Sequence, residues 1–400
     1  MAITINATPK DFAPVYNKME YLIESTNVAQ PNFAYLVDIY INFAVTKIVR
    51  LRIPARPSDN KGKVDIHRVL ESALTSDVGN PLGTDSVYDA PNSFLTYVVK
   101  FGEEYGTTVT QYPDLTIDTI RKTFNGSLEK RPFVNWDDTI YELDGTTKKF
   151  MTNMPNDNKV SLDSHGWLYY RGFPFISDFV IVRFLTGGAV TSVQIDASSS
   201  ASNIRFVPSA PASLNNIDNA NFSAGAQPVI TSDTERYYII AKDSGGNVVS
   251  EQKHFTLQEA CKYNSNTLIF QNNLGGFDNF TFYLGDMSTT AIERKDMKVN
   301  VDTVVGTDIV YSMDEREKVT YYTKKSETIK LMSDWITEAE SNWLLELMSS
   351  PEIYLQNGDE LTAVAKIKAT NYTKKKVVRD KLFKIDVEIE LGYDDYRQRM

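Results

Sequence analysis

The sequence predicts a mainly β protein, built from several β-sandwich-like modules with a few short helices and one longer C-terminal helix packed on a sheet. Three observations predict this class. Aromatic residues reach 12% of the 400 residues, and their side chains suit the pleated, half-buried surface of a sheet. Apolar and polar residues alternate with a period of two, most clearly over 381–391. The segment 334–348 has the length and apolar stripe of a helix of several turns.

The N-terminal part is expected to begin with paired strands at 33–42 and 47–53, since Val49, Leu51 and Ile53 alternate with arginines. A short helix is expected at 65–74 and a further strand at 94–101. These elements predict an N-terminal β-sandwich-like domain over residues 1–110, followed by an aromatic-rich connecting region over 111–175.

The middle of the chain reads as a second β-sandwich-like domain over 176–291. Its predicted elements are a hairpin of strands 179–185 and 190–195, a low-complexity loop at 197–228, a hairpin of strands 237–242 and 247–251, a helix from Thr256 to near Tyr263, and strands 267–271 and 280–284. The loop is assigned because its sequence is rich in Ser, Ala and Asn.

The C-terminal part, 292–400, reads as an α+β assembly module. Strands are predicted at 308–313, 318–322, 328–332, 361–370 and 381–391. The helix at 334–348 has Ser333 or Thr337 as its candidate N-cap, and Pro351 prevents its continuation. Its apolar stripe includes Trp343, which predicts packing against the terminal sheet or, as the less favoured alternative, docking onto a partner.

Composition narrows the function classes. A net charge of −10 argues against direct nucleic-acid binding, because phosphate recognition needs basic surfaces. The single cysteine, Cys261, allows no internal disulfide. The N-terminal residues show no secretory-signal pattern, and the longest apolar run, 173–185, is too short and too polar for a membrane span.

Motifs for chemistry are weak throughout the sequence. The three histidines, His67, His165 and His254, lack metal-ligand spacing, and neither a phosphate loop nor a dinucleotide fingerprint occurs. Acidic pairs at 103–104, 137–138 and 394–395 are poor catalytic candidates, because adjacent residues of a strand point to opposite faces. The sequence therefore predicts a protein that is not an enzyme, with no catalytic, metal or cofactor-binding residue.

The strongest local charge anomaly lies between the last two predicted strands. Its residues, together with the helix tryptophan, form the candidate subunit contact: Lys374, Lys375, Lys376, Arg379 and Trp343. A basic hairpin tip on an acidic chain can dock on an acidic neighbour. Equally, lysines at an exposed tip keep a loop soluble.

Three segments carry a resemblance to a known group of proteins: 30–35, then 267–282 with 292–295, and 333–351. Together they resemble virion structural proteins of tailed phages that infect Bacteroidetes. The resemblance implies a tail, baseplate or neck component, made in the host cytoplasm and located in the virion. Its implied partners are copies of itself and other virion proteins.

Two alternatives remain open. A host-surface glycan-binding module would stack sugar rings on exposed aromatic side chains, for which the candidates are Trp136, Trp167, Tyr169 and Tyr170. A virion polysaccharide-degrading enzyme would need two carboxylates facing each other across a cleft.

Overall fold

The computed structural model describes residues 3–146, 148–172, 176–197, 203–258, 265–299, 303–310, 317–368 and 383–398. The chain is mainly β, which confirms the predicted fold class. The strands up to residue 160 are β1 (Thr4–Ala7), β2 (Phe12–Pro14), β3 (Glu20–Glu24), β4 (Ala34–Ile41), β5 (Thr46–Ile53), β6 (Gly62–Asp65), β7 (Tyr88–Asp89), β8 (Phe94–Tyr105), β9 (Thr110–Ile117), β10 (Arg121–Phe124) and β11 (Asn158–Val160).

The middle and C-terminal strands follow in chain order. They are β12 (Trp167–Arg171), β13 (Asp178–Leu185), β14 (Val190–Asp196), β15 (Ile204–Pro208), β16 (Phe222–Ala224), β17 (Thr234–Lys242), β18 (Lys253–Leu257), β19 (Asn266–Gln271), β20 (Phe277–Phe282), β21 (Asp286–Lys298), β22 (Thr303–Val305), β23 (Asp308–Val310), β24 (Lys318–Met332), β25 (Ile353–Asn357), β26 (Glu360–Ile367), β27 (Asp386–Leu391) and β28 (Asp395–Gln398). The α-helices are α1 (His67–Glu71), α2 (Lys130–Val134), α3 (Pro211–Asn215) and α4 (Glu338–Ser349), with short 3-10 turns at Asp138–Tyr141 and Asn219–Asn221.

Contacts divide the chain into two compact units. The first comprises Met1–Glu259 and Phe270–Asn279, and the second comprises Ala260–Ile269 and Phe280–Met400. The sequence predicted a finer division into four domains, and that division stays a prediction.

The N-terminal part of the first unit is a sandwich of two sheets. One sheet has the order β1-β3-β6, and the other has the order β2-β10-β8-β4-β5 with β9 also paired to β8. One hydrophobic core lies under both sheets, because Tyr21 of β3, Tyr35 of β4 and Tyr97 of β8 are all fully buried in it. The predicted strand pair 33–42 and 47–53 is confirmed as β4 and β5, which pair antiparallel.

Two elements of this part differ from the prediction. Strand β8 continues past Gly102, where the end was expected, because Gly102 is a position of close backbone approach rather than a stop. A Cβ atom there would lie 2.5 Å from the carbonyl oxygen of Tyr112 in β9. The segment 111–175, expected to be a connection, contributes nearly all of β9 and the whole of β10 to the same sheet. Its aromatic residues include the exposed Tyr112 of β9, the buried Phe124 of β10 and the buried aromatic residues of β12 in another sheet, which gave it an irregular pattern.

A second pair of sheets completes the first unit, with orders β11-β18-β17-β13-β14-β16 and β12-β15-β7. The predicted hairpin of 179–185 and 190–195 is confirmed as β13 and β14. Three expectations were wrong in the described residues. The described part of the 197–228 segment contains buried strand β15, which pairs with β12, and helix α3. Thr256, the predicted start of a helix, lies in β18 opposite Arg236 of β17, so strand pairing overrides its helix-capping pattern. Residues 259–263 of that predicted helix lie outside the described residues. The strand predicted at 247–251 begins instead at Lys253.

The second unit contains a sheet in which β25, β26, β27, β24 and β21 are successive neighbours, with β28 also paired to β24. Strand β24 is one continuous strand of 15 residues, where two short strands were predicted. Helix α4 has a capping box, in which the Thr337 hydroxyl accepts the backbone N–H of Glu340 and the Glu340 side chain accepts that of Thr337. The predicted apolar stripe is confirmed, because Trp343, Leu344 and Leu347 are buried.

A buried ion pair fastens the N-terminal sandwich. Arg121 of β10 donates from Nε to Asp118 Oδ2 over 2.5 Å, and the Tyr21 hydroxyl donates to the same oxygen over 2.7 Å. A second guanidinium nitrogen of Arg121 reaches Asp11, whose side chain is 82% exposed, over 2.5 Å. Burial alone would raise the pKa of Asp118, but the hydrogen bonds from Arg121 and Tyr21 outweigh burial and hold that pKa below its ordinary value.

We expect Asp118→Asn to lower the free energy of unfolding by about 2 kcal/mol, because it removes a charged acceptor from a buried arginine. The matched control is Asp11→Asn, which removes the exposed partner of the same arginine and should cost under about 1 kcal/mol. The stabilisation from Asp118 is present above the unfolded carboxyl pKa and is lost as the pH falls through the lower folded pKa. Urea unfolding from pH 7 to pH 3 measures both effects, and equal losses for the two variants would contradict this role.

Candidate functional site: an exposed β arm

A long, exposed β structure projects from the sheet of the second unit. The β arm is defined here as residues 286–299, 303–310 and 317–332, which include β21 to β24. All 13 residues of β21 are exposed, although they pair continuously with β24 from Asp286 opposite Leu331 to Lys298 opposite Lys318. A strand whose two faces both contact water is unusual, because antiparallel sheets ordinarily cover at least one face.

The hydrophobic core ends near the base of the β arm. Leu331 of β24 is fully buried and lies opposite Val387 of β27, which is also fully buried. Towards the other end of β24, Lys318, Thr320 and Tyr321 are exposed. The arm therefore extends beyond the part of the sheet that packs on a core.

Large apolar side chains are exposed along the arm. Met287 is 60% exposed, Ile292 is 53% exposed and Val305 is 61% exposed. The further members of this apolar set are Met297, Val299, Ile309, Val310 and Tyr321. Concentrated exposure of this kind marks a contact surface, since isolated exposed apolar residues are ordinary but neighbouring ones are not.

One edge of the arm is already occupied. Strand β28 pairs with β24, and the rings of Tyr322 and Tyr396 lie 6.0 Å apart. The Lys324 ammonium lies 2.9 Å from Asp394, and its hydrogen bond to that carboxylate lowers the pKa of Asp394. On the other edge β21 is the last strand of the sheet within the described residues. Its outward backbone groups are therefore available for a further strand.

Of the candidate contact residues predicted from the sequence, Trp343 alone lies in the described part of the chain. Lys374, Lys375, Lys376 and Arg379 lie outside the described residues. Trp343 is only 3% exposed and packs edge-on against Phe280, which places it in the interior and not on a docking face.

The aromatic residues expected to stack on glycans are buried, so that expectation was wrong for these four positions. Trp136 is 8% exposed, and Trp167, Tyr169 and Tyr170 are at most 2% exposed. Each of the four rings packs against another aromatic ring of the interior. The Trp136 indole N–H, for example, donates to the carbonyl oxygen of Phe12 over 2.6 Å.

The acidic residues form hydrogen bonds and ion pairs within the fold. Glu103 and Glu104, which are adjacent in a strand, point to opposite faces as expected. Glu103 accepts hydrogen bonds from Ser25 and Asn27, whereas Glu104 on the other face pairs with Arg52. Asp138 pairs with Arg171, and Asp137 accepts the backbone N–H of Thr139. These carboxylates orient local structure and do not face each other across a cleft.

A second feature is a polar cavity of about 270 Å³ in the first unit, which is lined by a buried lysine. Lys253 of β18 lines it, is only 3% exposed, and donates from its ammonium to the carbonyl oxygen of Met154. Burial lowers the pKa of Lys253, while Glu251 nearby opposes that change. Sequence reasoning missed this residue, because a single lysine in a strand has no recognisable pattern.

Neither metal nor membrane features stand out in the described part of the chain. No group of three or more His, Cys, Asp or Glu side chains that could hold an ion occurs there. No helix in the same residues has the length and apolarity to cross a bilayer. Comparison with known proteins gave no match to a family model and no match to a curated protein.

We expect Lys253→Met to gain stability relative to the wild type at neutral pH, because it removes a buried amine that resists charging. The lowered pKa of Lys253 in the folded state sets the direction in which stability changes with pH. Between that pKa and the ordinary value of 10.5 the unfolded wild type binds more protons than the folded one, so wild-type stability rises with pH. The advantage of the variant should therefore shrink from pH 7 to pH 10.

Denaturant unfolding of both proteins across this pH range measures the difference. Lys149→Met, which changes an exposed lysine of the same cavity wall, is the matched control. A constant difference between wild type and Lys253→Met at every pH would contradict the assignment.

Proposed function

We propose that this protein is a structural subunit of a phage particle, tail-associated, that assembles with copies of itself and with other virion proteins through the β arm. The observation that carries the proposal is strand β21, which is exposed on both faces and ends the sheet in the described residues. The phage context rests on the resemblance of 30–35, of 267–282 with 292–295, and of 333–351 to virion structural proteins.

Proteins that work as monomers usually keep edge strands short or repulsive. Strand β21 has 13 residues, against a typical strand of about five or six. Its charges do not repel a partner as a set, because three acidic residues (Asp286, Glu293, Asp296) balance three basic ones (Arg294, Lys295, Lys298). Such an edge is suited to pairing with another chain.

The tip of the arm gives a second reason. Strands β22 and β23 form a two-stranded sheet of their own, with Val305, Ile309 and Val310 exposed. An isolated two-stranded hairpin is marginally stable in water, so contact with a partner that covers these side chains would stabilise it.

Ile292→Lys is the direct test of the arm in assembly. A lysine placed on an edge strand opposes pairing with another strand, and position 292 is 53% exposed, so the fold should tolerate it. The matched control is Val190→Lys on β14, at an apolar strand residue that is 57% exposed in the first unit. We expect wild type and Val190→Lys to be present in multiple copies per particle. The copy number of Ile292→Lys should fall on the order of tenfold.

Quantitative mass spectrometry of purified particles measures the copy number, and sedimentation of the purified chain measures its oligomeric state. A strictly monomeric wild-type chain that is absent from particles would contradict the proposed function. Equal incorporation of the two lysine variants would show that the β arm does not contribute to assembly.

A further inference from the structure

We propose that β21 pairs antiparallel with β21 of a second copy of this chain, about a two-fold axis that passes beside Ile292. The proposal rests on the function proposed above and names the partner of the β arm. The two copies would then share one continuous sheet, joined through their last strands.

Symmetry restricts the ways in which the strand can pair with itself. In an isologous antiparallel pair, the positions of opposite residues have a constant sum, and a two-fold axis requires that one residue lies opposite its own copy. Each possible register is therefore centred on a residue. Only the register centred on Ile292 pairs all 13 residues of Asp286–Lys298.

The full-length register is also the chemically complementary one. It places Asp286 opposite Lys298 of the partner subunit's copy of the strand, Met287 opposite Met297, and Ile292 opposite its own copy. Opposite charges and apolar pairs directly across an antiparallel ladder are stabilising. Each of the unlike pairs occurs twice in the dimer because of the two-fold axis.

Neighbouring registers place like charges opposite each other. A register centred on Ala291 puts Asp286 opposite Asp296, and one centred on Glu293 puts that carboxylate opposite its own copy. Registers centred on Arg294 or Lys295 do the same with a cation. Like charges directly across a ladder are destabilising, which disfavours these four registers. A register centred on Thr290 avoids like charges but pairs nine residues of the strand instead of 13.

The two charges that this register pairs have no ion-pair partner within the described part of one chain. In the described part of the chain, Asp286 and Lys298 are exposed and take part in no ion pair. By contrast, Asp296 lies 3.0 Å from Lys318, and Glu293 lies 3.9 Å from Lys295. The unpaired charges stand at the two ends of β21, where the second copy supplies their opposites.

The strand is also regular enough to be extended. The single irregularity in its pairing with β24 lies where Lys295 is opposite Tyr322 and Asp296 is opposite Thr320. The extra residue is therefore Tyr321 of β24, while β21 keeps consecutive residues along its outer edge. Met287 and Met297 are 60% and 48% exposed, and methionine adapts readily to an apolar neighbour.

Disulfide trapping tests the register. In a Cys261→Ser background, Ile292→Cys should cross-link to its own copy under mild oxidation, since the two positions lie opposite each other. Thr290→Cys is the matched control, because its two copies would lie four residues apart along the strand, about 13 Å, beyond disulfide reach. A mixture of Met287→Cys and Met297→Cys chains should cross-link to each other more than either does to itself.

Charge exchange tests the same register without cysteines. Asp286→Lys and Lys298→Asp should each weaken dimerisation on the order of tenfold, because each places two like-charged pairs in the dimer. The double variant restores opposite charges and should regain the wild-type dissociation constant. Sedimentation equilibrium measures all four proteins, with unfolding curves to show that the fold is kept.

Equal cross-linking at positions 290 and 292, or a double variant as weak as the singles, would overturn self-pairing. Loss of Ile292→Lys from particles in that case would still support the proposed function, with another virion protein on β21. A chain that cross-links at position 292 yet is absent from particles would contradict the proposed function and leave self-pairing standing.

Discussion

The backbone of a β-strand carries hydrogen-bonding groups towards both of its edges, and these groups need a partner or water. In the described structure β21 has β24 on one edge and no strand on the other. Both of its faces are exposed as well, so the strand gains little from the core of its own chain. The length, charge pattern and apolar residues of β21 therefore have their simplest explanation in a partner that completes the ladder.

The first unit differs from strand β21, because its side chains find partners within the same chain. Several of its polar and aromatic residues make internal contacts: Arg121 is held by Asp118, Lys253 by a backbone carbonyl, and the Trp136 indole by Phe12. The residues that looked capable of chemistry or sugar stacking in the sequence are those that fold the sandwiches. Most of the exposed large apolar residues in the described part of the second unit lie on the β arm, which favours assembly as the function.

Sequence reasoning succeeded where a local pattern had a local cause. Alternation located β5 and β27, and the apolar stripe located α4, although the helix begins at Glu338 and not at 334 as predicted. It failed where tertiary pairing decided the outcome, as at Thr256, whose capping pattern is overridden by β17. Strand β21 was not predicted, because exposure on both faces leaves it with no alternation of apolar and polar residues to detect.

The coverage of the outer edge of β21 on assembly is the central claim, and hydrogen–deuterium exchange measures it most directly. Peptides from 286–298 should exchange quickly in the dissociated chain and become protected in the assembled protein, because the outward amides gain partners. Peptides from β4, which is central in its sheet, should be unchanged and serve as the internal reference. Equal exchange of 286–298 in the two states would contradict the account.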